Sequence, residues 1–65
     1  MDIVLNGRIR EISENLTIAG LLGELALQGP LAVEVNKEVC PKRQHGETRL
    51  YEGDELEIVT IVGGG

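Results

Sequence analysis

The stretch Glu55-Leu56-Glu57-Ile58-Val59-Thr60-Ile61-Val62, followed at once by Gly63-Gly64-Gly65, decides how this chain is read. It is the longest extended run in the sequence. Side chains alternate along a strand, so Leu56, Ile58, Thr60 and Val62 share one face, while Glu55, Glu57, Val59 and Ile61 share the other. With the first set against a core, the second meets water. Two β-branched apolar residues, Val59 and Ile61, are then exposed beside the glycines and read as part of a docking patch. The turn cluster Glu52-Gly53-Asp54, entered through Leu50 and Tyr51, sets the start of the strand.

Outward from this strand, Asp2 to Leu5 is a short apolar run ending at Asn6-Gly7, the dipeptide suited to the positive φ values of a type I′ hairpin turn. Arg8 to Ile12 is the returning strand. Thr17 then stands as N-cap before Ile18, Leu21, Leu22 and Leu25, whose spacing lines one face of a helix and makes the leucines core. Gly20 and Gly23 cost that helix up to about 1 kcal/mol each relative to Ala, so packing rather than propensity must hold it. Gly29-Pro30 predicts its stop. Leu31 to Val35 is a half-buried strand with Val33 and Val35 on one face and Ala32 and Glu34 on the other, closed by Asn36-Lys37. Val39-Cys40 is a very short strand cut off by Pro41, which suits an edge. Lys42 to Arg49 is a loop or a single turn. This order predicts an α+β fold: a mixed sheet of four to five strands with one main helix packed on one face. An N-terminal hairpin plus a crossover leaves the last strand the middle of the sheet, beside the first, which is the β-grasp layout. Residues 1–62 form the domain and 63–65 a flexible glycine tail.

A chain of 65 residues allows one small domain. Such a domain buries only about 60% of its unfolded surface, too little to enclose an active-site cleft, so an autonomous enzyme is not expected. Hydrophobic residues make up 42%, Trp and Phe are absent, and Tyr51 is the single aromatic, so the core must be aliphatic. Six Lys and Arg against eleven Asp and Glu give a net charge of −5. That charge repels nucleic acid and anionic membranes and suits a basic protein surface. One cysteine, Cys40, makes no internal disulfide, and together with the single histidine, His45, it cannot assemble a metal cluster. The start lacks a basic leader and no apolar run approaches the roughly 18 residues of a membrane span, so a cytoplasmic protein is expected.

Cys40 and His45 are the residue types of a nucleophile and its base. Pro41 stands between them and no cleft is available, so Cys40 is read as a small hydrophobe and His45 as a loop residue without a ligand role. Glu52, Asp54, Glu55 and Glu57 lack the spacing of a calcium loop and are read as a solvated rim or the complement of a basic partner. No residue is assigned a catalytic role, and no bound cofactor or metal is expected. The glycines carry the chemistry. Gly63, Gly64 and Gly65 cannot pack a core, but a tail without Cβ atoms can thread a narrow channel and deliver the α-carboxylate of Gly65 to another protein's active site. A carboxylate is a poor electrophile, so it needs activation, most simply as an acyl-adenylate formed from ATP on the partner. Gly64 permits close approach and Gly63 supplies reach. The competing reading is a non-covalent module that acts through its open sheet face and tolerates loss of Gly64 and Gly65.

Nearly the whole chain resembles the ThiS family of sulfur carriers in the ubiquitin-like β-grasp superfamily. The resemblance rests on Ile3 to Gly7, Thr17 to Leu25, Val33-Glu34-Val35-Asn36, Pro41, Gly53-Asp54 and above all Glu57 to Gly65. It implies a carrier for thiazole formation in thiamine biosynthesis. Gly65 is then adenylated by a ThiF-like adenylyltransferase with ATP and converted to a thiocarboxylate. Sulfur comes from a donor system such as a cysteine desulfurase, and thiazole synthase accepts it. Gly64 is the other member of the double-glycine motif, and Val59 and Ile61 belong to the docking surface. The chain departs from the family pattern at His45, where relatives often carry Trp, and at Ile61, where they often carry Phe. A MoaD-like carrier for molybdopterin is the alternative, though the prolines and aromatic that precede its glycines are absent from Ile61-Val62-Gly63.

Overall fold

A computed structural model describes residues 1–61. Its elements are β1 (Asp2–Leu5), β2 (Arg8–Glu11), helix α1 (Ile18–Glu24), β3 (Leu31–Val35), β4 (Glu38–Cys40), a 3-10 turn over Lys42–Gln44 and β5 (Glu55–Thr60). The sheet has five strands in the order β2-β1-β5-β3-β4. β5 runs parallel to β1 and antiparallel to β3, so the last strand occupies the middle, as the β-grasp layout requires. The expected inward place of Val62, the 62/63 boundary and the tail 63–65 lie outside the described residues.

Both asparagine turns form as their composition dictates. Asn6 and Gly7 have φ of 49° and 82°, and Asn36 and Lys37 have 51° and 71°, the paired left-handed values of a type I′ connection. Lys37 takes this conformation with a Cβ in place, which a glycine would do at lower cost.

The helix begins where expected, with the Thr17 hydroxyl accepting from Gly20 N at 3.1 Å. It ends earlier than Gly29-Pro30 suggests. Leu25 is the C-cap, and Ala26, at φ 56°, takes the left-handed position. Ala26 N then bonds Gly23 O and Leu27 N bonds Leu22 O, both at 3.1 Å, closing a Schellman motif whose left-handed residue lies three positions before the glycine. The following leucine decides the matter: Leu27 packs back against the core from this position, and a longer helix would carry it away.

One aliphatic core lies between helix and sheet: Ile3, Ile12, Ile18, Leu21, Val33, Cys40, Leu50, Leu56 and Ile58. Leu22 and Leu25 are half-buried against it. No aromatic contributes, since Tyr51 is exposed.

Candidate functional site: the end of the central strand

β5 is the element that leads to the glycines, and its backbone is held from both sides. Asn36, past the end of β3, accepts from Glu55 N through Oδ1 at 3.0 Å and donates its own N–H to Glu55 O at 2.7 Å. Asn6, past the end of β1, accepts from Ile58 N through Oδ1 at 2.8 Å and donates from Nδ2 to Ile58 O at 3.3 Å. A side chain thus continues the ladder where β1 has already turned away. Each asparagine serves twice, once as a turn residue and once as a substitute strand. The turn before β5 is fixed as well: Asp54 Oδ2 accepts from Tyr51 N at 2.8 Å, and Gly53, at φ 84°, donates to Asp2 O at 2.8 Å.

The pairing with β3 extends one residue past the strand, where Ile61 N donates to Pro30 O at 2.9 Å. Proline has no N–H to return, so the ladder stops there. Val59 and Ile61 consequently do not share one patch. Val59, 59% exposed, lies on the open sheet face opposite Ala32. Ile61, 53% exposed, lines a groove of about 700 Å³ on the helix side with Leu22, Leu27, Pro30, Leu31, Lys42 and His45.

On the open face, Glu34 of β3 lies directly across from Glu57 of β5. Like charges in that relation oppose sheet formation. The strand alternation read from the sequence places both residues outward, but their opposition depends on register, which the sequence does not state.

His45 is a loop residue, as expected, yet it is only 6% exposed. Its Nε2 lies 3.0 Å from Cys40 O, which can only accept, so Nε2 is the donor, and its own carbonyl accepts from Ala19 N at 2.9 Å. It fastens the loop to the first turn of the helix. Cys40 is buried, with Sγ 3.5 Å from Thr48 Oγ1. The imidazole meets the Cys40 carbonyl rather than its thiol, so the two are not assembled as nucleophile and base. Glu52 accepts from Asp2 N at 3.0 Å and Asp54 caps its turn, which gives two of the acidic cluster structural partners. Among the described residues, no group of three or more His, Cys, Asp and Glu could hold a metal ion, and no helix is long and apolar enough to cross a membrane. Gly63, Gly64 and Gly65 lie outside the described residues.

Residues 3–65 match the ThiS family. Over its whole length the chain is 42% identical to a part of a thiazole synthase from Paramagnetospirillum magneticum, of which it spans only 20%. It is 38% identical over 63 residues to the sulfur carrier protein ThiS of Bacillus subtilis, with 94% of this chain and 96% of that protein covered. The crystal structure of the thiamine biosynthesis protein ThiS from Geobacter metallireducens superposes with a TM-score of 0.87 at 29% identity, covering both chains completely.

Proposed function

The chain belongs to the ThiS family, and from that premise we propose that it is a sulfur carrier whose reactive group is the carboxylate of Gly65. The observation that carries this reading is the anchoring of β5. Its backbone is held from both sides, and its pairing reaches Ile61 N on Pro30 O, four residues before Gly65. Four residues of fully extended chain span at most about 14 Å, so the partner's reacting centre must lie within that distance of the sheet's end.

In the first step a Gly65 carboxylate oxygen attacks the α-phosphorus of ATP on a ThiF-like adenylyltransferase, and pyrophosphate leaves. A thiol reductant, itself oxidised to a disulfide, releases hydrosulfide from the persulfide of a donor such as a cysteine desulfurase, and that hydrosulfide then attacks the acyl carbon. AMP leaves, and a thiocarboxylate remains. Thiazole synthase takes the sulfur from it. The thiazole synthase relative supports this acceptor, because a segment like this chain is there part of one polypeptide with that name. The chain itself acts as co-substrate rather than enzyme, and ATP is bound by the partner. A lone buried thiol with no second cysteine fits work in the reducing cytoplasm.

The test is ATP–pyrophosphate exchange by the ThiF-like enzyme of the same organism. Exchange is expected with the full chain and is lost when Gly65 is deleted or one residue is appended after it. Exchange that persists without Gly65, or its absence with an enzyme active on its own carrier, would overturn the reading.

A further inference from the structure

β5 outruns its parallel neighbour. β1 pairs with it only through Val4 against Glu55 and Leu5 against Leu56, then turns away at Asn6-Gly7, whereas β5 continues to Thr60. Successive residues of a strand turn their backbone groups to opposite neighbours. Ile61 N faces β3, on Pro30 O, and Leu56 O faces β1, on Asn6 N at 2.8 Å. Ile58 and Thr60, in step with Leu56, therefore present their N–H and C=O to the side that β1 has vacated. A groove of about 250 Å³ there is lined by Leu5, Asn6, Leu25, Leu27, Ile58 and Thr60. The Asn6 carboxamide crosses the gap, with Oδ1 accepting from Ile58 N at 2.8 Å and Nδ2 donating to Ile58 O at 3.3 Å. Asn36 also bonds β5 through its side chain, but at Glu55, the first residue of the strand. Of the two asparagines, only Asn6 acts on the half of β5 that leads to the glycines.

We infer that Asn6 is a positioning residue for the reaction at Gly65: its carboxamide stands in for the missing strand and fixes the line along which β5 presents the glycines to the adenylating enzyme. The inference rests on the carrier reading. A strand end held from one side opens locally at low cost, and the hold from the β3 side stops at Ile61, because Pro30 has no N–H to return. The second hold, at Ile58, is what keeps this end closed. When the end opens, the enzyme captures only the fraction of carriers in which it is closed, and the apparent affinity falls by that fraction. Once the carrier is seated, the same carboxylate meets the same ATP, so turnover at saturation does not change. Asn6 acts through the Ile58 backbone rather than on the reacting atoms.

Asn6→Gly separates positioning from turn formation, because glycine accepts the φ of 49° at this position and carries no carboxamide. The variant, the unaltered chain and a Thr17→Ala control are compared in ATP–pyrophosphate exchange with the ThiF-like enzyme and in amide hydrogen exchange of the free chain. Thr17→Ala removes the bond from Gly20 N to the Thr17 hydroxyl and so lowers stability away from β5. Melting curves fix a temperature at which all three are folded, and the other readouts are taken there. Asn6→Gly is expected to raise KM for the carrier at least about threefold with kcat unchanged. It should also speed hydrogen exchange at Ile61 as well as Ile58, although Ile61 N is bonded to Pro30 and not to Asn6. The control is expected to melt lower than the unaltered chain and to match it in KM, in kcat and at the Ile61 amide. An unchanged KM in Asn6→Gly, a rise equalled by the control, a loss of kcat alone, or faster hydrogen exchange confined to Ile58 would overturn the inference. Pyrophosphate exchange by the unaltered chain with the same KM in Asn6→Gly sinks the positioning role and leaves the carrier standing. No pyrophosphate exchange with the unaltered chain sinks the carrier reading, and with it the role assigned to Asn6.

Discussion

The two faces of β5 are built from neighbouring residues to opposite ends. Leu56 and Ile58 are buried against the helix, while Glu57 and Val59, one position along, stand in water beside another glutamate and another small apolar residue. On the helix side, the burial of Leu56 and Ile58 favours the folded chain. On the open side, the like-charge opposition of Glu34 and Glu57 disfavours it slightly. The comparison teaches that in a domain this thin one strand must serve both core and contact, so alternation divides the labour residue by residue.

Substitutions on the helix side should therefore act on stability. Leu56→Ala is expected to cost about 2–5 kcal/mol, comparable with all that such a small core supplies, and a urea melt should show a largely unfolded chain. A native-like melt would break the comparison at its stronger end. Asn6→Ala removes both bonds to Ile58 and a residue suited to positive φ, at a cost of about 1–3 kcal/mol. Asn6→Gly restores the turn alone, so it should recover only part of that loss, with the Ile58 amide exchanging faster than in the unaltered chain. Full recovery would show that the side-chain ladder contributes nothing.

Smaller effects sharpen the picture. Ala26→Gly and Lys37→Gly relieve left-handed backbone at residues carrying a Cβ, and each should stabilise by about 0.5–1 kcal/mol in thermal melts. Val59→Ser, on the open face, should leave stability within about 0.5 kcal/mol. A larger loss there would show that the open face is also structural.

Much of the fold was legible because period and punctuation agree. Asn6-Gly7, Thr17, Leu31 to Val35 and Gly53-Asp54 each force a local geometry, and the central place of β5 follows from their order. The helix end was misread because Gly29-Pro30 is the stronger local stop, whereas the burial of Leu27 closes the helix at Ala26. The second roles of Asn6 and Asn36 were hidden for a similar reason, since their side chains reach residues distant in sequence. The exposed place of Val59 on the open face was readable from alternation. The side of the sheet on which Ile61 lies was not, because Pro30 ends the ladder from the neighbouring strand. Glu34 opposite Glu57 required the register.

The account's central claim is that sulfur is carried on Gly65, and fragment mass spectrometry of the untagged chain tests it most directly. The chain is treated with ATP, the ThiF-like enzyme and a sulfide source, and the reacted protein is fragmented. Intact mass alone is ambiguous, because oxidation of Met1 or Cys40 adds an oxygen of nearly the same mass as the exchange of oxygen for sulfur. The account predicts the increment only on fragments containing Gly65, and only when ATP is present. An increment confined to fragments containing Met1 or Cys40, or one independent of ATP, would contradict it.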